Sequence, residues 1–140
     1  MRSIHGSLEQ LQALIDVSIA RFDNAGDRQT YRALIDTGAT RTCITPKIVR
    51  RFDLPPVMKL LVAGANSHPE RRNAFEFSLG LHHAVADGGS FRQSLYVIDH
   101  PFVAPDFRDN ENFDVLLGMD VLSQGRLVID RNEFRFEFAF

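Results

Sequence analysis

Asp36-Thr37-Gly38 stands at the end of the apolar run Ala33-Leu34-Ile35 and leads into Ala39-Thr40. A carboxylate at the end of an apolar strand is costly to desolvate unless it is hydrogen-bonded or paired. Thr37 and Gly38 offer a compact turn with a hydroxyl and free backbone N–H groups to serve that acid. A carboxylate held in this way is suited to general acid–base chemistry on a bound water. A second segment, Val115-Leu116-Leu117-Gly118-Met119-Asp120-Val121-Leu122, lies near the C-terminus. There an apolar strand ends in Gly and feeds a short helix. The tripeptide alone recurs by chance; the pair in this order is specific.

Other reactive side chains give less. Cys43 lies seven positions past Asp36 and reads as a small buried residue, because no motif supplies a base for its thiol. His82 and His83 are neighbours on a strand and face opposite sides, so they cannot share one metal ion. No His-Glu-x-x-His or paired-Cys pattern occurs, and neither a metal nor a cofactor is expected. Gly88-Gly89 lacks a phosphate-binding context and reads as a turn. Arg50-Arg51 and Arg71-Arg72 are too short for a nucleic-acid footprint.

The elements that must position Asp36 are strands. Between Leu11 and Phe22 the residues Ala13, Ile15, Val17 and Ile19 recur at period two, which predicts a half-buried strand. A turn cluster, Asp23 to Asp27, precedes a returning strand from Thr30 to Asp36. Thr45 is the expected N-cap of a short helix with Pro46 at its first position, and Asp53-Leu54-Pro55-Pro56 stops it. Strands follow over Val57 to Ala63 and Ala74 to His82. Asp87-Gly88-Gly89-Ser90 turns the latter into a partner over Phe91 to Ile98. His100 to Asn112 reads as a loop, Phe113 to Gly118 as an apolar strand, and Met119 to Gln124 as one or two helical turns stopped by Gly125. A last hairpin joins Leu127–Asp130 to Glu133–Phe140. Its stripe of Phe134, Phe136, Phe138 and Phe140 reads as core, or else as a seam between two copies of the chain. Many short strands with closely spaced turns predict an all-β barrel or sandwich.

The bulk numbers agree with one ordinary domain over residues 1–140. The chain is 44% apolar and 24% charged, with a net charge of −2, so no global field favours nucleic acid or an acidic membrane. One cysteine permits no intrachain disulfide and suits a reducing compartment. The first residues carry no apolar signal-peptide core, and no run approaches the ~18 apolar residues of a membrane helix. The expectation is a soluble, cytoplasmic chain.

With its two segments in this order, the chain resembles the retropepsin family of aspartic proteases over roughly Ile15 to Phe136. It is more similar to the cellular and bacterial members than to the viral ones. The resemblance implies a small closed β-barrel with a flap hairpin and one or two short helices. In it the strand ending at Leu117-Gly118 is threaded beside the strand ending at Asp36, and Gly118 lets the backbones approach closely. It implies an aspartic endopeptidase acting on polypeptides, with catalytic Asp36, Thr37 and Gly38, and with Ala39, Thr40 and the flap-tip residues Ala63, Gly64, Ala65 and Asn66 against substrate. Two-lobed relatives carry two Asp-Thr-Gly turns and this chain carries one. A working site therefore implies a homodimer, with Thr37 bonding across it. The alternative is a catalytically inactive dimerisation or peptide-binding module of the same fold. Viral members usually place Arg after the late Gly, paired with an acid near the early turn. Here those positions are Met119 and Thr40, and Asp120 with Arg41 is the substitute pair on offer. The tip, Ala63 to Pro69, is not glycine-rich, and Pro69 stiffens its exit.

Overall fold

Alternating apolar side chains face one shared core, and the regular structure they build among the described residues is mostly strand. The computed structural model describes residues 1–63 and 68–140. The strands are β1 (Ser3–Ser7), β2 (Leu14–Arg21), β3 (Asn24–Ile35), β4 (Cys43–Ile44), β5 (Pro56–Val62), β6 (Glu70–Asp87), β7 (Ser90–Val97), β8 (Phe102–Pro105), β9 (Val115–Leu117), β10 (Arg126–Asp130) and β11 (Arg135–Ala139). Two short helices, α1 (Pro46–Arg51) and α2 (Met119–Leu122), complete it. No helix among the described residues is long and apolar enough to cross a membrane.

The strands pair in the order β10-β11-β1-β6-β2-β3-β9-β4, while β5, β7 and β8 pair with β6 off this path. The all-β reading holds. The two ends of the path do not meet among the described residues, so the pairing gives an open sheet where a closed barrel was expected. The core lies on one face of the period-two pattern: Ile15, Val17 and Ile19 from β2, Phe77, Leu79 and Leu81 from β6, and Phe136 and Phe138 from β11.

Several boundaries differ from the sequence reading for local reasons. The turn after β2 is only Phe22-Asp23, and β3 begins at Asn24. Arg21 tightens it by donating to both carboxylate oxygens of Asp23, at 2.9 and 3.1 Å, and to the Asp53 carbonyl at 3.0 Å. Thr45 and Pro46 do start α1, but the Thr45 hydroxyl donates to Asp114 at 3.4 Å instead of capping the helix. The loop expected over His100 to Asn112 contains β8, which adds to β6 through Phe77↔Phe102 and Phe75↔Ala104. β1 went unread because Ile4 is its one buried residue; it forms through long-range pairing with β11, from Ser3↔Ala139 to Ser7↔Arg135. The Asp87–Ser90 turn is as expected, with Gly88 and Gly89 both at positive φ.

The phenylalanine stripe divides. Phe136 and Phe138 are core, Phe140 packs against it half-buried, and Phe134 lies outside β11 with φ +52 and 57% exposed. Phe138, at 0% exposure, leaves a cavity if truncated. Phe138→Ala is expected to cost about 3–5 kcal/mol in urea unfolding, and Phe134→Ala within about 0.5 kcal/mol. Equal losses at both positions would contradict this division of the stripe.

Candidate active site

The site is built where β9 is inserted between β3 and β4. β3 and β9 run parallel, with Ala33↔Val115, Leu34↔Leu116 and Ile35↔Leu117 in register. β4 lies antiparallel on the other side, with Cys43↔Leu116 and Ile44↔Val115. Asp36 leaves the end of β3, and its N–H donates to the Leu117 carbonyl at 3.0 Å. The two sequence segments therefore meet at their ends.

Asp36 is half-buried, and its Oδ1 accepts the Gly38 N–H at 2.9 Å. The Ala39 N–H donates back to the Asp36 carbonyl at 3.2 Å and closes the turn. Among the described residues, Asp36 Oδ2 has no partner. Thr37 is exposed, and among the described residues its hydroxyl has no partner within the chain. Ala39 and Thr40 extend the turn onto α2: their carbonyls accept from Met119 N–H at 2.8 Å and Asp120 N–H at 3.2 Å. Gly118 is extended, and a Cβ there would lie 2.7 Å from the Arg41 carbonyl and 2.8 Å from the Ala39 oxygen. Glycine is required at that position by close approach of backbones.

Thr42, which the sequence left without a role, holds this crossing together with Asp120. The Thr42 hydroxyl, fully buried, accepts the Gly118 N–H at 3.0 Å and donates to Asp120 Oδ1 at 2.7 Å. The Thr42 N–H donates to Asp120 Oδ2 at 2.9 Å. Both Asp120 oxygens are thereby taken, so the Asp120–Arg41 pair expected from sequence is not formed. Arg41 reaches instead to the Val103 carbonyl on β8, at 3.3 Å. A threonine next to an arginine carries no visible signal; the pairing needs the crossing of β9 and β4.

The remaining expectations fall as follows. Ala63 follows β5 and is exposed; Gly64, Ala65 and Asn66 lie outside the described residues. Burial pushes the Cys43 thiol up to about 11, with Asp120 adding to the shift and Arg41 opposing it. Its Sγ lies 3.4 Å from the Arg41 carbonyl, which is no base for a nucleophile. His82 meets the Thr30 hydroxyl at 3.3 Å on one side of β6, and His83 packs edge-on against Phe140 on the other. No group of three or more His, Cys, Asp or Glu side chains among the described residues is placed to hold a metal ion.

The family model described as aspartyl protease matches residues 18–121. No curated protein matches the chain. Among solved structures, it is similar to a retropepsin-like aspartic protease from Rickettsia conorii, with 17% identity and a TM-score of 0.50, over 97% of this chain and 89% of that one. The retroviral protease-like domain of Ddi1 from Leishmania major matches with 13% identity and a TM-score of 0.34, over 86% of this chain and 83% of that one.

The Thr42 junction and the Cys43 thiol each give a measurable outcome. Thr42→Val keeps the shape but strands a buried N–H, and is expected to lower stability by about 1–3 kcal/mol in thermal unfolding. An unchanged midpoint would remove the junction's role. For Cys43, a thiol at about 11 is thiolate to only ~10⁻³ at pH 8, three units below. Iodoacetamide should therefore alkylate native protein at pH 8 about a hundredfold more slowly than urea-unfolded protein. The native rate should climb as pH approaches 11, since the reactive form is the deprotonated one. Equal rates at pH 8 would contradict the shielding.

Proposed function

The chain belongs to the aspartyl protease family whose model spans residues 18–121, and on that premise we propose that it is an aspartic endopeptidase whose active form is a homodimer. The observation that carries the reading is the half-made site. One carboxylate per chain is anchored through Oδ1 to Gly38 N–H, while Oδ2 has no partner among the described residues. Two such turns facing each other across a two-fold axis would bring both Asp36 side chains to one water.

Two carboxylates about 3 Å apart cannot both ionise, so the pair holds one proton. The ionised carboxylate takes a proton from the water as its oxygen attacks the peptide carbonyl carbon. The protonated carboxyl gives its proton to the carbonyl oxygen, forming a tetrahedral gem-diol. Collapse of that diol breaks the C–N bond, and the amine leaves with a proton from the pair. Gly38 N–H keeps each carboxylate oriented through the cycle. Thr37, exposed beside it, would bond to the facing turn. The Gly118 crossing and the Thr42 junction hold the turn against displacement. The hairpin formed by β5 and the start of β6 would act as the flap over the substrate.

The test uses wild type and Asp36→Asn on denatured protein substrates from acidic to neutral pH. Wild type is expected to cleave and the variant to lose about 10³-fold or more. Specific activity should rise with protein concentration, because two chains are needed. Asp36→Asn added to wild type should inhibit by forming mixed dimers. Equal inactivity of both proteins would leave the binding or dimerisation module. Full activity of a strict monomer in sedimentation would overturn the shared site.

A further inference from the structure

A strip of surface runs from the Asp36 turn to the β5–β6 hairpin at Arg72, opposite Leu60, and its charges are unevenly satisfied. β9 joins the strand that ends at Asp36 to β4, through Cys43↔Leu116. The segment after β8 then joins β4 to the hairpin, because Asp106 bridges Ile44 and its carboxylate binds Arg72 at 3.0 Å. Arg41 crosses the same strip, from the end of the turn to the Val103 carbonyl on β8. Arg41, Arg72, Asp106 and Asp120 all lie close enough to Cys43 to act on its thiol.

The acids of this strip are already committed. Asp106 is held by Arg72, and Asp120 spends both oxygens on Thr42. Arg41 is exposed, uses one N–H on Val103, and has no carboxylate within 4.0 Å among the described residues. A guanidinium carries five donors in a planar fork, so most of its donors remain free. The bond to Val103 also fixes where the fork sits, which lowers the ordering cost of receiving a ligand. Two residues on, Cys43 lies with its Sγ 3.4 Å from the Arg41 carbonyl and pairs with the half-buried Leu116, and neither residue carries a carboxylate.

We propose that Arg41 is a specificity-determining residue that receives an acidic side chain, Asp or Glu, of a peptide lying between the Asp36 turn and the β5–β6 hairpin. This rests on the aspartic endopeptidase reading. The acidic residue lies within a few positions of the scissile bond, because Arg41 follows Asp36 by five residues in a chain that folds back on itself at the turn. A neutral residue there leaves the fork to water, and a basic one meets like charge.

The experiment uses a peptide set differing only by Glu, Gln or Lys at each of four positions on either side of the scissile bond. Wild type is expected to prefer Glu over Gln at one position by up to about fivefold in kcat/KM, with Lys poorest. The preference should shrink as salt is raised, since the pair is exposed. Arg41→Gln should abolish it, and Arg41→Glu should turn it toward Lys. A preference that survives both substitutions, or no position preferring Glu, overturns the assignment. The same peptides are also tested for binding to Asp36→Asn by fluorescence anisotropy, with and without Arg41→Glu. Arg41-dependent binding of the Glu peptide, with no cleavage by wild type, would refute the protease reading and keep the Arg41 assignment. Binding that ignores Arg41, or no binding together with no cleavage, would overturn the assignment.

Discussion

One buried hydroxyl holds the place where the chain crosses itself. Threading β9 between β3 and β4 leaves the Gly118 N–H pointing into protein with no strand partner. A buried donor without an acceptor costs about 1–3 kcal/mol. Thr42 Oγ1 accepts that bond at 3.0 Å and passes its own proton to Asp120 at 2.7 Å. Serving as donor and acceptor at once, it ties β4, β9 and α2 together. The Asp36 turn hangs from the same knot, through Leu117 and through Met119 N–H on Ala39. No buried side-chain polar atom among the described residues is left without a partner, and at this crossing that completeness depends on the one hydroxyl.

The other acids near the site are spent on structure. Asp109 accepts the Lys47 N–H and the Arg50 guanidinium, each at 3.1 Å, and these bonds hold its carboxyl below the usual range. Asp114 takes the Thr45 hydroxyl and the Lys47 ammonium. Asp106 takes Arg72. Together they fasten the long connection between β8 and β9 to α1 and to the β5–β6 hairpin. Against that pattern Asp36 stands apart, with one oxygen held and the other without a partner among the described residues. A carboxylate that contributes little to holding the fold is one whose proton can move without loosening it.

The sequence carried the local parts of this arrangement and missed the distant ones. The period-two runs of β2 and β6, the Gly88-Gly89 turn and the Thr45-Pro46 helix start follow from neighbours in the chain, and they were legible. So was the meeting of Asp36 with Leu117-Gly118, through a family pattern. β1 was not: His5 and the serines around it say nothing of β11, more than a hundred residues away. The role of Thr42 was hidden for the same reason, because its partners at 118 and 120 come from the far end of the chain. Arg41 was paired on paper with Asp120; the closer Thr42 donors won that carboxylate, and Arg41 turned to β8.

β6 has a mechanical consequence. Its 18 residues, at about 3.3 Å each, would reach roughly 60 Å if straight, beyond the width on the order of 40 Å of a domain this size. The strand must therefore bend, and along its length it pairs with β1, β2, β5, β7 and β8. The β5–β6 hairpin is thus an arm of a beam whose other end is clamped in the core. A beam held only at its root would have to carry every load there. Arg72, opposite Leu60 well out along that arm, is tied to Asp106 at 3.0 Å, so the segment after β8 acts as a strut that braces the arm away from its root.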